Sequence, residues 1–353
     1  MKLLAYSDLQ AGLGSERMFA DPTVSLQQYR VIKFYKDLHA HAKRLKADGI
    51  ICAGDCTDDR SSIPIPTLDA VIEGISRFKG MTNFKVVGNH EQFVKNTSMH
   101  AGKLFESVFE VFSDPQERVV TNGTRFSFVF APFPPPGKEG AFKQKVRDLV
   151  AKARGEKREV ILIGHFPVIG SAICGGKMAK GIDSSIFQGI SLGLLGDIHR
   201  PQKINEKPPV WYIGSPFQQD FGEAGEAKRI ALLDTEERSV NWIEMTGFPQ
   251  YRCLPWSEFK EVAKADSEDR YRVSLKSSAE TEAFYAHPLS HRAEPEYNYE
   301  EVQVEAEKTS KRSDWSLQAS LRRYASAVNP SAKGIEMDAD ELVSVGEELA
   351  THS

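Results

Sequence analysis

The sequence predicts an α/β fold, a two-sheet β-sandwich flanked by helices, with a small α+β capping domain and a helical C-terminal tail. Two observations predict it. Short apolar, β-prone runs recur from the first residues to about residue 245, and helical periodicity separates the early ones. The later runs instead follow one another through short turns such as Asn122-Gly123. Early β-α-β alternation followed by hairpin-like strands fits two packed sheets with helices outside them.

In order, the strand candidates are Leu3–Tyr6, Gly49–Ala53, Phe84–Val87, Phe126–Phe130, Val160–Ile163, Leu192–Leu195, Val210–Ile213, Ile230–Leu233 and Val240–Ile243. A helix over Ser25–Lys46 places Val31, Phe34, Tyr35, Leu38, Ala42 and Leu45 on one face. A second, over Thr67–Lys79, does the same with Leu68, Val71, Ile72, Ile75 and Phe78.

The pattern breaks near Gly247–Pro255. A helix around Trp256–Ala265 and a strand around Tyr271–Leu275 then suggest a small capping domain over 246–290, after a main domain of 1–245. Residues 291–353 read as an acidic linker and a helical partner-binding tail. Glu294, Glu296, Glu300, Glu301, Glu305 and Glu307 mark the linker, and Trp315, Leu317, Leu321, Tyr324 and Val328 form an apolar stripe.

With 353 residues, one large domain plus an appendage is the natural expectation. A net charge of -4 argues against binding a polyanion by bulk charge, though not against a local groove or a partner that supplies the contacts. Cys52, Cys56, Cys174 and Cys253 form no C-x-x-C pair, so reduced thiols are expected rather than a thiolate zinc site. No apolar run reaches membrane-spanning length and no leader pattern is visible. The expectation is a soluble, cytoplasmic protein without a membrane partner.

The chemistry-bearing residues sit at strand ends. Five apolar runs finish in Ser7-Asp8-Leu9-Gln10, Gly54-Asp55, Gly88-Asn89-His90-Glu91, Gly164-His165 and Gly196-Asp197-Ile198-His199. Loops at the carboxyl ends of strands converge in α/β proteins, so these side chains can share one site. One Gly-Asp means little; five such ends point to a metal centre. Two divalent cations about 3.5–4 Å apart can clamp a phosphoryl group, lower the pKa of a water toward about 7, and need a bridging carboxylate between them. Glycine before the candidate ligand at four of the five ends allows close backbone approach.

This order of motifs resembles the calcineurin-like metallophosphoesterases over roughly the first 245 residues. Gly214-Ser215-Pro216 followed by Phe221-Gly222-Glu223 is similar to a stretch in the SbcD/Mre-type nuclease subunits of bacteria and phages. The resemblance implies that Asp8 and His199 hold one metal, Asn89 and His165 the other, and Asp55 bridges them. It implies that His90 is the catalytic histidine at the leaving oxygen and that Glu91 orients its neighbours. Two positions depart from the family pattern: Gln10 and Asp197 stand where the family has histidines. Oxygen donors there favour Mn²⁺, with Mg²⁺ acceptable, over softer ions, and weaken the first-metal position. Arg200 and Asp58 are candidates for substrate contact.

The activity so implied is a metal-dependent DNA nuclease, with double-strand exonuclease and single-strand endonuclease action in double-strand-break repair and recombination. Its setting would be a bacterial or phage-infected cell. Its partners would be DNA, an SMC-like ABC ATPase docked on the C-terminal helices, and a second copy in a homodimer. Two alternatives stay open: a small-substrate metallophosphodiesterase, and a non-catalytic scaffold with a degenerate metal site that binds DNA or the ATPase.

Overall fold

Alternating side chains of the first strand, β1 (Lys2–Tyr6), show how the layers form. Leu3 and Ala5 point into a core between two sheets, while Leu4 and Tyr6 point into a core beneath helices. The computed structural model describes residues 1–298 apart from 13, 94–98, 123, 174–175 and 265. The expected helix at Trp315–Val328, with the ATPase-docking role given to it, lies outside the described residues, as does Cys174. Cys52, Cys56 and Cys253 are free thiols.

After β1 come α1 (Leu26–Leu45), β2 (Gly49–Cys52), α2 (Ile65–Ser76), β3 (Thr82–Val86) and β4 (Glu110–Phe112). Next are β5 (Gln116–Asn122), β6 (Thr124–Ala131), α3 (Glu139–Gly155), β7 (Glu159–His165) and β8 (Leu192–Gly196). The series continues with β9 (Gln202–Asn205), β10 (Val210–Tyr212), β11 (Arg229–Asp234) and β12 (Ser239–Glu244). The first sheet runs β12-β11-β1-β2-β3-β4 and the second β5-β6-β7-β8-β10-β9. Both are mixed: the first is parallel from β1 to β4 and antiparallel at β11 and β12, and the second has a parallel centre with an antiparallel strand at each edge. Phe84, Phe112, Phe128 and Phe130 pack between them; the Phe112 and Phe130 rings stack at 3.9 Å between centroids.

Helix α1 starts where Ser25 accepts from the Gln28 amide, and its apolar face (Val31, Phe34, Tyr35, Leu38) packs on the first sheet. Helix α3 covers the second sheet through Phe142, Val146 and Val150. The architecture is therefore helices, sheet, sheet, helix, as the apolar runs predict. Elements that the sequence hid are short or amphipathic: β4, β5, β9 and α3 carry too few apolar residues for their length to stand out.

A third, wholly parallel sheet follows: β13 (Tyr251–Pro255), α4 (Trp256–Val262), β14 (Arg270–Leu275), α5 (Ser278–Ala286) and β15 (Ala293–Tyr297). Its own core is Phe259, Tyr271, Val273, Leu275 and Phe284. Strand β15 occupies the start of the acidic stretch read as linker. Its sequence AEPEY is an exposed edge strand, where charge and proline are tolerated and hydrophobic alternation disappears. Gln218 ties this sheet to the sandwich by accepting from the Tyr251 amide at 2.7 Å.

Candidate metal centre

Strands β1, β2 and β3 of one sheet and β7 and β8 of the other bring their carboxyl ends together. Asp8, Asp55 and His165 are buried there, with ligand atoms all within 4.8 Å of one another. The backbone turns sharply to aim them. Asp8 (φ 53°), Gln10 (φ 45°), Asp55 (φ 51°) and Asp197 (φ 92°) are left-handed; among the described residues only three other non-glycine residues are. Each such conformation costs on the order of 1–3 kcal/mol and persists where the surroundings impose it.

Glycine is required at two of these ends. A Cβ on Gly54 (φ 102°) would stand 2.0 Å from His165 Nδ1, and one on Gly88 would stand 2.0 Å from Asp55 Oδ1. The ligand side chains occupy that space.

One half of the site gathers Asp55, Asn89, His165 and Asp197. His165 Nδ1 lies 2.7 Å from the Ala53 carbonyl, so Nδ1 carries the hydrogen and Nε2 faces the cluster. Nε2 is 3.2 Å from Asp55 Oδ2, 3.9 Å from Asp197 Oδ1 and 3.1 Å from Asn89 Oδ1. Asn89 Oδ1 also lies 3.2 Å from both Asp55 Oδ2 and Asp197 Oδ1. Oxygen and nitrogen acceptors thus converge with no donor hydrogen among them unless the Asn89 amide is turned round or protons are shared. A divalent cation satisfies that donor set, so these residues fit the metal that the strand ends predict.

The other half pairs Gln10 with His199, whose Nε2 lies 2.8 Å from the Gln10 side-chain nitrogen. His199 Nδ1 is 2.7 Å from Glu223 Oε1, a carboxylate that fixes the ring and raises its basicity as a ligand. Glu223 is itself held by Lys228 at 2.7 Å, by the Ser215 hydroxyl at 3.2 Å and by the Gln219 amide at 3.0 Å. The Gly-Ser-Pro and Phe-Gly-Glu stretches therefore meet as the brace behind His199. Asp8 links the halves, accepting from the Asp197 amide at 3.1 Å.

The electrostatics follow from this packing. Burial alone would lower the His165 imidazole, but Asp55, Asp8 and Asp197 outweigh it and hold it up at about 10. Burial, with Asp8 and Asp55 adding to it, pushes Asp197 up to about 7. Burial also raises Asp8, whereas Asp55 is lowered because His165 and His90 overcome its burial. Burial opposes charge on Glu223, yet the His199 hydrogen bond and Lys228 bring it down to about 2.

His90 stands at the edge, 34% exposed, with its amide donating to Asp55 Oδ1 at 3.0 Å. Its Nδ1 is 2.6 Å from the Asp58 carbonyl and 3.4 Å from Asp58 Oδ1. Those contacts, against burial, raise His90 to about 9. Asp58 is thus engaged with His90. Arg200 is half exposed and faces Glu226, 3.6 Å away, rather than the cluster.

Glu91 supports both loops of the buried half: it accepts from the amides of Cys56 at 2.9 Å and Gly88 at 3.1 Å. Lys85 pairs with it at 2.6 Å, both side chains fully buried. Lys85 and Lys228 escaped the sequence reading, although a lysine inside the apolar run Phe84–Val87 was a visible signal that a buried acid awaited it.

No curated protein sequence matches the chain. In fold comparisons the chain resembles a dimetal phosphatase from Danio rerio at 13% identity and a TM-score of 0.42, covering 70% of this chain and 99% of that one. It resembles the protein TT1561 of Thermus thermophilus at 11% identity and a TM-score of 0.40, covering 69% and 99%. A 5'-nucleotidase precursor from the same organism aligns at 12% identity and a TM-score of 0.40, covering 69% of this chain and 53% of the other. The family model for calcineurin-like phosphoesterases matches residues 1–201, more than half the chain. With the donor set and its strand-end placement, that match makes the protein a member of the calcineurin-like phosphoesterase family, a metal-dependent phosphoester hydrolase.

Proposed function

We propose that the chain cleaves phosphodiester bonds of nucleotides with two divalent cations, Mn²⁺ in preference to Mg²⁺. The observation that carries this is the convergence of Asp55, Asn89, His165 and Asp197, with Gln10 and His199 beside it and His90 at its open edge. Bound cations would supply charge for the phosphoryl oxygens and a water acidified to near neutrality. Asp55 would be shared between the two ions, Asp8, Gln10 and His199 would complete one, and Asn89, His165 and Asp197 the other. His90 is held by Asp58 through Nδ1, a contact that raises its imidazole in the metal-free site. It keeps Nε2 for the substrate and would donate to the leaving oxygen.

Two forms of the substrate are supported by different observations. A compact nucleotide diester suits the cleft of about 350 Å³ beside Gln10 and Asp58, and the net charge of -4. DNA is supported by the Ser215–Glu223 brace, whose sequence is similar to SbcD/Mre-type nucleases; it would bring an SMC-like ATPase partner and a homodimer with it. The deciding assay offers Mn²⁺-loaded protein a bis-aryl phosphate, a cyclic nucleotide and an end-labelled duplex. Nicking or resection of the duplex selects DNA; turnover of the small diesters alone selects the compact substrate. No turnover of any diester, with DNA binding unchanged in His90→Asn, would leave a scaffold and sink the enzyme reading.

A further inference from the structure

We propose that the cavity walled by Phe133, beside the metal centre, is a subsite for one nucleobase of the substrate, which stacks on the Phe133 ring. The inference rests on the phosphodiesterase reading and adds a preference to it: the scissile phosphate carries a nucleoside on one defined side.

Topology puts this cavity at the same pole as the metal ligands. Strand β4 runs parallel to β3, and β6 runs parallel to β7. The turn after β4 and the loop after β6 therefore leave at the carboxyl ends that carry Asn89 and His165. Phe133, in the loop after β6, is fastened on both sides of the loop that bears Asn89 and His90. Its amide donates to the Val87 carbonyl at 3.0 Å, and its carbonyl accepts from the Gln92 side chain at 2.9 Å. Its ring centre stands 6.4 Å from that of His165, with the planes at 60°. One ring thus neighbours a metal ligand and lines the cavity.

The lining suits a flat, neutral group. The cavity holds about 300 Å³, and Pro115, Pro132, Phe133, Pro135 and Phe142 form its apolar wall. That volume is at the small end of ligand sites and takes a ring system. Proline fixes its own φ, so three of the five wall residues are held in place before anything binds. The charged residues of the lining are Asp114, Lys138 and Lys145, and all three are exposed at the rim. Asp114 is ion-paired with Lys145, so its carboxylate is neutralised, and Lys138 leaves the rim net positive. A neutral base meets no repulsion there, and its polar edge stays at the rim beside water and Lys138. A phosphate would find no donor in the wall, because Gln92, the buried polar side chain of the lining, gives its amide hydrogen to Phe133. The cavity therefore fits the part of a nucleotide that the metal centre does not hold.

The test offers Mn²⁺-loaded full-length protein the dinucleotide deoxyadenylyl-deoxyadenosine and two versions of it that lack one base. In each, a tetrahydrofuran residue replaces either the 5'- or the 3'-nucleoside. Loss of one base, and not of the other, is expected to raise KM by about 5- to 100-fold, the range of base–aromatic stacking. Phe133→Leu keeps an apolar side chain without an aromatic face, and is expected to bring that difference to within about twofold. Ala141→Phe, on the exposed first turn of α3, fills the cavity and is expected to do the same. A merely structural Phe133 would instead raise KM for all three substrates alike. A second measurement needs no turnover: saturation-transfer NMR of deoxyadenosine with metal-free protein should show transfer to the adenine protons, at least halved in both variants.

Wild-type protein indifferent to the loss of either base overturns the proposal, as does a folded variant that keeps the difference. If Phe133→Leu does not fold, Ala141→Phe decides. Failure to hydrolyse any of the dinucleotides overturns the phosphodiesterase reading, and the NMR measurement still judges the cavity. Transfer that is absent, or equal in the wild type and both variants, overturns it.

Discussion

The two halves of the metal centre are built differently. His165 is fully buried and its ring is set by a backbone carbonyl, whereas His199 is 23% exposed and its ring is set by the Glu223 carboxylate. A backbone acceptor is fixed by the strand itself. A carboxylate is a side chain that substitution, charge and neighbouring loops can change. The buried half should therefore be the constant part of the site and the His199 half the adjustable one, also because Gln10 brings a neutral amide where imidazole is usual in the family the motifs resemble.

The largest expected effect breaks the part common to both halves. Asp55→Asn removes the central buried carboxylate, and kcat/KM for a diester should fall by at least about 1,000-fold, roughly 4 kcal/mol. Elemental analysis should show both metal positions depleted. Full metal content with that loss of rate would place Asp55 in proton transfer instead of bridging.

Next, Glu223→Gln acts on the adjustable half alone. It should weaken one Mn²⁺ site by about 10- to 100-fold and leave the other unchanged in a calorimetric titration. Equal weakening of both sites would erase the distinction between the halves. Lys228 then keeps only Glu226 at 3.0 Å and the His199 carbonyl, so stability should also fall, by about 1–3 kcal/mol in denaturant titrations.

Gln10→His sharpens the comparison in the opposite direction. A second imidazole beside His199 should tighten zinc binding at that position by about tenfold, near 1.4 kcal/mol, and narrow the preference for Mn²⁺. An unchanged Zn²⁺/Mn²⁺ ratio would mean that Gln10 contributes no donor atom.

The smallest effect is on pH dependence. In metal-free protein His165 is raised to about 10 and Asp197 to about 7, so the folded state binds protons that the unfolded state releases. Their contribution is present at low pH. It is lost as pH rises from about 4 to about 7 for Asp197 and from about 6.5 to about 10 for His165. Bound metal replaces these protons, so the melting-temperature gap between Mn²⁺-loaded and metal-free protein should widen from pH 6 to pH 9. A constant gap would show that neither group exchanges its proton for the ion.

Much of this was legible in the chain. Apolar runs located the central strands because a strand buried on both faces must be apolar throughout, as β2 and β8 are. Gly-Asp and Gly-Asn-His-Glu ends pointed to residues that the fold brings together, because close approach needs glycine and cation binding needs fixed donor types. Edge strands such as β9 and β15 were not legible, since half-exposed segments carry no compulsory pattern. The substrate candidates were the least legible: Asp58 turned to His90 and Arg200 to Glu226. Charged side chains on loops choose partners by geometry that adjacency in sequence does not encode.

By itself, then, the sequence determined the central strands, helices α1 and α2, the strand ends that carry the candidate ligands and the oxygen-rich departure at Gln10 and Asp197, since each depends on a few neighbouring residues. Only the tertiary structure decided which atoms meet. Packing sheet on sheet sets Gln10 against His199 across 189 residues, and docking β13 beside α1 buries Arg30 against Tyr251 across 221. Such contacts arise from the balance of many distant interfaces, and no local pattern carries them.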